Sequence, residues 1–342
     1  MAKHPFSSRQ TGEHQTLSIG GATYDLFIGV PAHCIADARG TEALVLPMGQ
    51  KHRMTSIEGR TGGGANNTAV GLARLGCSAA FCGVIGDDQW GRELQHNFLH
   101  DQVDIRLATI VEGETSGCSL IVISPSGERT ILTSSGTNVH LHDAVFDRRA
   151  AAEKDWIYLN HIQPQSCVIF DDLIAMLSQN GGPRLTWNPG GQQIEAGLQD
   201  IHNRALVAAT ELLLLNKEEA LAFTNAKTPE GALNALLSLG AKHVCISDGP
   251  RGSIAGDGAN RYFCPAMPVT VVDATGAGDA FGCGITWGLL CGLGLPSALR
   301  AGTINAASVV GTVGAQPGLL TEMQMRQRLS SSTLSVTAHP RL

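Results

Sequence analysis

Between Val272 and Leu290 the chain reads VDATGAGDAFGCGITWGLL: a β-branched lead, a Gly-rich turn flanked by two carboxylates, and an apolar run of helical length. No other stretch restricts the fold as much. Gly276, Ala277 and Gly278 carry almost no side chain, so their backbone N–H groups can approach an anion at the start of a helix. Asp279 enters the same helix mouth. Its charge suits the positive end of the helix dipole, yet it would repel a bound phosphate unless the carboxylate takes part in the chemistry. A base beside an anion hole is the pairing that phosphoryl transfer to a hydroxyl requires. The same string also suits a strand-turn-helix corner whose glycines permit close packing and whose Asp279 caps the helix.

With 342 residues, 43% of them hydrophobic, the chain can bury a large core, and one large α/β domain accommodates it. A formal net charge of −6 and the lack of any Lys/Arg run exclude a nucleic-acid surface. Nine cysteines, an odd number with no C-x-x-C pair, read as reduced thiols of a cytoplasmic protein rather than a disulfide or zinc framework. The N-terminus MAKHPFSSRQTGEHQ has no apolar h-region, so export is not expected. Residues 1–16 and 329–342 read as flexible ends. Ala280 to Leu299 lacks charge over a length that could span a membrane, but its glycines and Pro296 favour a buried helix with a turn near Gly292. His96 and His100 lie one helical turn apart beside Asp101 and Asp104, which suits a solvated helix end better than a metal site.

Strand-like runs recur at Trp156–Leu159, Arg184–Asn188, Glu211–Asn216, His243–Asp248 and Val269–Val272, with helix-like stretches between them. That rhythm predicts a mainly parallel, Rossmann-like sheet flanked by helices, with ligands outside the carboxyl ends of the strands. The opening strand spans Leu17 to Ile28, broken at Gly20-Gly21. Two strand-rich excursions, about 30–60 and 105–133, are too polar and interrupted for the core and predict a small β-sheet lid, the second built on a hairpin around Ser124–Gly127. Such a sheet is marginal alone, so it should cover a pocket or pair with a second copy in a homodimer.

DATGAGDAF resembles the C-terminal signature of the ribokinase-like (PfkB-type) carbohydrate and nucleoside kinases, Asp-Thr-x-Gly-Ala-Gly-Asp, with Ala274 in place of the usual Thr. Thr61 to Gly76 resembles the family's N-terminal signature, Gly-Gly-x-x-x-Asn before a helix, with Gly62, Gly63 and Asn67 on the match. The resemblance covers about Leu17 to Leu320. It implies a ribokinase-like fold and ATP- and Mg²⁺-dependent transfer to a primary hydroxyl of a sugar or nucleoside, with Asp279 as base and Gly276, Ala277 and Gly278 as anion hole. Asp25, matching Gly-x-x-x-x-Asp from Gly20, would hold the acceptor with Gly63 and Asn67. On the nucleotide side stand Asn216, Ser247, Gly249, Gly252 and Asn305, and Glu219 of Asn216-x-x-Glu219 would organise Mg²⁺ indirectly. Asn216 also suits a helix cap. Asp273, with the Gly311–Gly318 loop, matches the monovalent-cation (K⁺) site of several members. A rival reading keeps the fold as a non-catalytic sensor of sugar or nucleotide. A dehydrogenase is disfavoured, since Gly20-Gly21 is followed by Asp25 and not by a helix-opening turn.

Overall fold

A computed structural model describes residues 14–141, 146–163, 169–179 and 181–340. Among them a nine-stranded sheet runs in the order Thr337–Pro340, Asn260–Cys264, Ser253–Gly256, His243–Ser247, Leu212–Asn216, Arg184–Trp187, Trp156–Leu159, Gln15–Ile19, Ser78–Cys82. The six strands from His243–Ser247 to Ser78–Cys82 are parallel, and the remaining three join antiparallel. Central strands such as Trp156–Leu159 and Leu212–Asn216 are built almost wholly of Leu, Ile and aromatic residues, as burial on both faces requires. In Trp156–Leu159, Ile157 and Leu159 pack into one cluster with the helices from Phe170–Leu177 to Pro229–Ser238. Trp156 and Tyr158 point the other way, against Ala277–Leu290 and Leu295–Val309. The period-2 alternation of a strand thus feeds two cores.

The predicted opening strand divides at Gly20. Gln15–Ile19 is central in the large sheet, whereas Thr23–Gly29 leaves it and becomes the middle of a separate four-stranded sheet, Arg129–Ser134, Gly117–Ile123, Thr23–Gly29, Ser56–Gly62. Gly20 makes the exit possible with φ +138°. Residues between Gly29 and Ser56 stay outside this sheet and form a short Ala32–Cys34 turn of 3₁₀ helix and a hairpin, Ile35–Asp37 with Glu42–Leu44.

Two expectations need correction. Val269–Val272 is not a strand: Val269, Val271 and Val272 are exposed, and the run passes the sheet to reach the Gly-rich turn, held by the Val272 N–H donating to Val310 O at 2.8 Å. The β-branched signal lacked a neighbouring strand to pair with. The C-terminal stretch is not a loose end either. The Glu322–Ser331 helix carries past 329, Arg300 donates to the carbonyls of Leu329 and Ser332, and Thr337–Pro340 closes the sheet edge on Asn260–Cys264. At the other end, Gln15 and Thr16 already lie in the first strand, and residues 1–13 lie outside the described residues. The charge-free segment after Asp279 is two helices broken at Cys291–Gly294, and among the described residues no helix is long and apolar enough to cross a membrane.

Candidate active site

Asp279 sits in the first turn of the Ala277–Leu290 helix, whose N-cap is Gly276 at φ +75°. Gly276 has no substitute there, because a Cβ would lie 2.3 Å from the Ala315 Cβ as well as adopting a strained conformation. A helix start leaves its first N–H groups without intrahelical acceptors. Ala277 N–H closes the turn onto Ala274 O at 3.3 Å, so the group expected in the anion hole already has an acceptor, and Gly278 and Asp279 provide the open mouth. Around Gly278 a Cβ would meet nothing within 4 Å.

The Gly64–Arg74 helix packs beside this one, and Gly71 makes the contact possible, since a Cβ there would stand 2.7 Å from Cys283 Sγ. That packing brings Asn67 to Asp279. The Asn67 amide Nδ2 donates to Asp279 Oδ2 at 2.8 Å, and Asn67 Oδ1 accepts from Gln316 Nε2 at 3.1 Å. Gln316 Oε1 accepts in turn from the hydroxyl of Thr61, on the small sheet, at 3.2 Å. Asn67, expected to face the acceptor, therefore orients the carboxylate. Burial pushes the Asp279 pKa up to about 6, against the opposing pull of the Asn67 hydrogen bond. A carboxyl so tuned can accept a proton near neutral pH. Gln316 has no counterpart among the residues singled out from the sequence, because a lone Gln in a Gly-rich loop carries no local signal.

Asp25 projects from the small sheet and is 7% exposed. Burial raises its pKa, hydrogen bonds from Ser119 and Thr23 oppose the rise, and the charge of Asp273 adds to it. Gly62 and Gly63 leave it room: a Cβ on Gly62 would fall 2.1 Å from Asp25 Oδ2, and one on Gly63, at φ +91°, 2.7 Å from the backbone of Ala22 and Thr23. Asn138 locks the crossing between the sheets, its amide donating to Ala22 O at 3.0 Å and accepting from Ala22 N–H at 3.1 Å.

The nucleotide-side candidates divide. Asn216 and Ser247 are register partners at the carboxyl ends of adjacent strands. Asn216 and Glu219 form a reciprocal capping box, each backbone N–H donating to the other's side chain at 2.8 Å. Gly249 and Gly252 hold the next turn, both at positive φ, and a Cβ on Gly252 would lie 2.4 Å from Cys264 O. Asn305 does not join them. It is fully buried, with Nδ2 donating to Ala280 O at 2.8 Å and Oδ1 accepting from Leu320 N–H at 3.2 Å, so it ties two helices and a loop instead of facing a base. The small residues of its helix let it turn inward.

Two ion sites were expected. Glu219 fits an indirect Mg²⁺ role: among the described residues one carboxylate oxygen accepts only the Asn216 N–H, the other has no hydrogen bond, and no cage of neighbouring carboxylates competes for the metal. The monovalent-cation site does not fit. Asp273 Oδ1 accepts from the Arg129 guanidinium and from Thr275, whose hydroxyl is 2.7 Å away, while Oδ2 accepts from Gly314 N–H at 2.9 Å. Burial works to raise the Asp273 pKa, but these bonds outweigh it and hold the carboxylate low. The Arg129 guanidinium, delivered by the small sheet, already supplies the positive partner of the Asp273 carboxylate. Thr275 supplies the hydroxyl that Ala274, in the usual Thr position, cannot.

His96 and His100 gather no ligand set among the described residues, since Asp101 is bound by Arg74 and Asp104 by Arg106.

The chain belongs to the pfkB family of carbohydrate kinases, whose family model matches residues 28–322. It is 29% identical to the ribokinase of Haemophilus influenzae over 279 residues, 77% of this chain and 85% of that enzyme. Identity to the fructokinase of Klebsiella pneumoniae is also 29%, over 70% of this chain and 80% of that one. In fold it superposes on an E. coli protein provisionally named ribokinase II, in complex with ATP and Mg²⁺, with a TM-score of 0.78 at 19% identity, covering 93% of this chain and 100% of that one.

Proposed function

We propose that this kinase transfers the γ-phosphoryl group of ATP to a primary hydroxyl of a neutral sugar or nucleoside. The observation that carries the reading is Asp279, a carboxylate at an open helix mouth, oriented by Asn67 and tuned by burial to about 6. Asp279 takes the acceptor's hydroxyl proton as the oxygen–phosphorus bond forms and the bond to the ADP oxygen breaks. The N–H groups of Gly278 and Asp279 face the developing charge, and Asp25 and the Gly62-Gly63 backbone hold the acceptor hydroxyls. Glu219 would help to hold Mg²⁺, which would supply charge neutralisation for the transferring phosphoryl group.

Pairing of the cations nearby supports a neutral acceptor. Arg129 is paired with Asp273 and Arg60 with Glu58, so neither is left for an acceptor phosphate or carboxylate. A non-catalytic sensor would have no use for a carboxylate held at raised pKa in the anion hole. The relatives named ribokinase and fructokinase support a sugar as the first acceptor to try. The eight cysteines among the described residues are all unpaired thiols, and these with an ATP donor fit a reducing, ATP-rich compartment such as the cytoplasm.

The test is a coupled ADP assay with ribose, fructose, 2-keto-3-deoxygluconate, adenosine, cytidine and inosine, run in tetramethylammonium and in potassium salts. One neutral acceptor should stimulate ADP release at least about tenfold over the no-acceptor rate, equally in both salts. Stimulation only by the sugar acid, or by none of the six, would contradict the reading.

A further inference from the structure

We propose that His33, Cys34 and His52 form a binding site for a borderline-soft divalent cation, Zn²⁺ being the best match. The site lies in the excursion between Gly29 and Ser56, outside the catalytic cleft residues. One ligand atom from each of the three lies within 4.8 Å of the other two, a spacing that small side-chain movements can close onto one ion. Two imidazoles and a thiolate are the donor set such an ion prefers.

Local architecture supports the assignment. Cys34 is 1% exposed, in a 3₁₀ turn fixed by its N–H donating to Pro31 O at 2.9 Å and by Val45 N–H donating to Cys34 O at 2.8 Å. From Val45 to Glu58 every residue is exposed except His52, which turns inward alone. Its Nε2 lies 3.0 Å from Pro47 O, so Nε2 donates and the ring's other nitrogen keeps its lone pair, the tautomer a metal-ligating histidine needs. The flanks of His52 have little else to hold them: Met48 is 96% exposed, Met54 53%, and residues 45–55 carry no helix or strand. On binding, the Cys34 thiol loses its proton to solvent as the sulfur–metal bond forms, and a water can fill the fourth position. The ion would staple the Ala32–Cys34 turn to the long exposed loop.

The experiment uses the full chain, stripped with a chelator and desalted. Zn²⁺ competition against a chromophoric chelator should give one ion per chain at a Kd on the order of 1 μM or tighter, and Co²⁺ should show a thiolate charge-transfer band. Cys34→Ala and His52→Ala should each weaken Zn²⁺ binding at least about 100-fold and abolish the band. Trypsin provides a second readout, because Lys51 and Arg53 flank His52. Zn²⁺ should slow cleavage there at least about fivefold in the wild type and not in either variant. Substoichiometric binding, or Zn²⁺ affinity and cleavage protection unchanged in Cys34→Ala, would overturn the proposal. None of these readouts depends on turnover.

Discussion

At Gly278 an added methyl would project into open space at the helix mouth, whereas at Gly276 it would strike Ala315. The two glycines of one turn thus answer to different demands. Gly278→Ala should fold with unchanged or slightly raised stability, by up to about 1 kcal/mol, because Ala is the better helix former. It should still lose at least about tenfold in kcat/KM, since the methyl meets the phosphate before any protein atom. Thermal unfolding beside steady-state kinetics separates the two effects; wild-type kinetics would move the anion site elsewhere. Asp279 gives the pH prediction. Its deprotonated form is the active one, so kcat/KM should rise with unit slope on the acid side and level off above about pH 6, and the Asn variant should lose that limb. For stability the sign is opposite. The folded pKa lies above the ordinary 3.8, so the native state binds the proton more tightly, and deprotonation costs stability as pH rises from about 4 to 7. Denaturant unfolding of Asp279→Asn should therefore show a gain over wild type of about 2–3 kcal/mol at pH 8 and little at pH 4. Asn67 stood out as a residue but not in its contact with Asp279, 212 residues away; Asp279 and the Gly-rich turns were legible because they stand in contiguous motifs. Gln316 and Arg129 were not, since their partners lie 249 and 144 residues away in the chain.

The Ala277–Leu290 helix joins the site to the core through its glycines. Gly282 admits the Tyr158 ring, and Gly284 lies so close to the neighbouring Leu295–Val309 helix that a Cβ would be 2.6 Å from the Ala301 carbonyl oxygen. Backbone cannot swing aside as a side chain can. Gly284→Ala should cost about 2–3 kcal/mol by denaturant unfolding, the range for overpacking, with any folded enzyme keeping its KM for ATP. A loss below about 0.5 kcal/mol would mean that the two helices are not in backbone contact. The parallel strands were visible in sequence because buried strands are short apolar runs with polar residues at their carboxyl ends. The antiparallel edge was not: Thr337–Pro340 is exposed throughout and gains its structure only by pairing. Val269–Val272 failed in the opposite sense, with strand-forming residues but no partner. Asn305 shows the limit for a side chain, since a helix of small residues does not reveal which way its Asn turns.

The small sheet presents two unlike faces. Register places Asp25 and Phe27 inward, and Leu26, Ile28, Leu120, Leu132 and Ile57 outward, with Ile57 and Leu132 60% and 58% exposed. An apolar face of this kind calls for cover, and a second copy of the sheet is the cover we expect. Light scattering should give a dimer mass, and Leu132→Asp should return a monomer; a wild-type monomer at micromolar concentration would contradict the dimer. Arg129 links the same sheet to Asp273, two residues ahead of the Thr275-Gly276 turn, so an ion pair ties the small sheet to that turn. Phosphoryl transfer in this site depends above all on Asp279 as the proposed proton acceptor. The direct measurement is single-turnover phosphorylation of the acceptor found in the panel, by wild type and Asp279→Asn, with ATP affinity measured on both. The rate should fall by about 10²- to 10⁴-fold while ATP affinity changes by less than about threefold. A variant that retains more than about a third of the wild-type rate would remove Asp279 from that role.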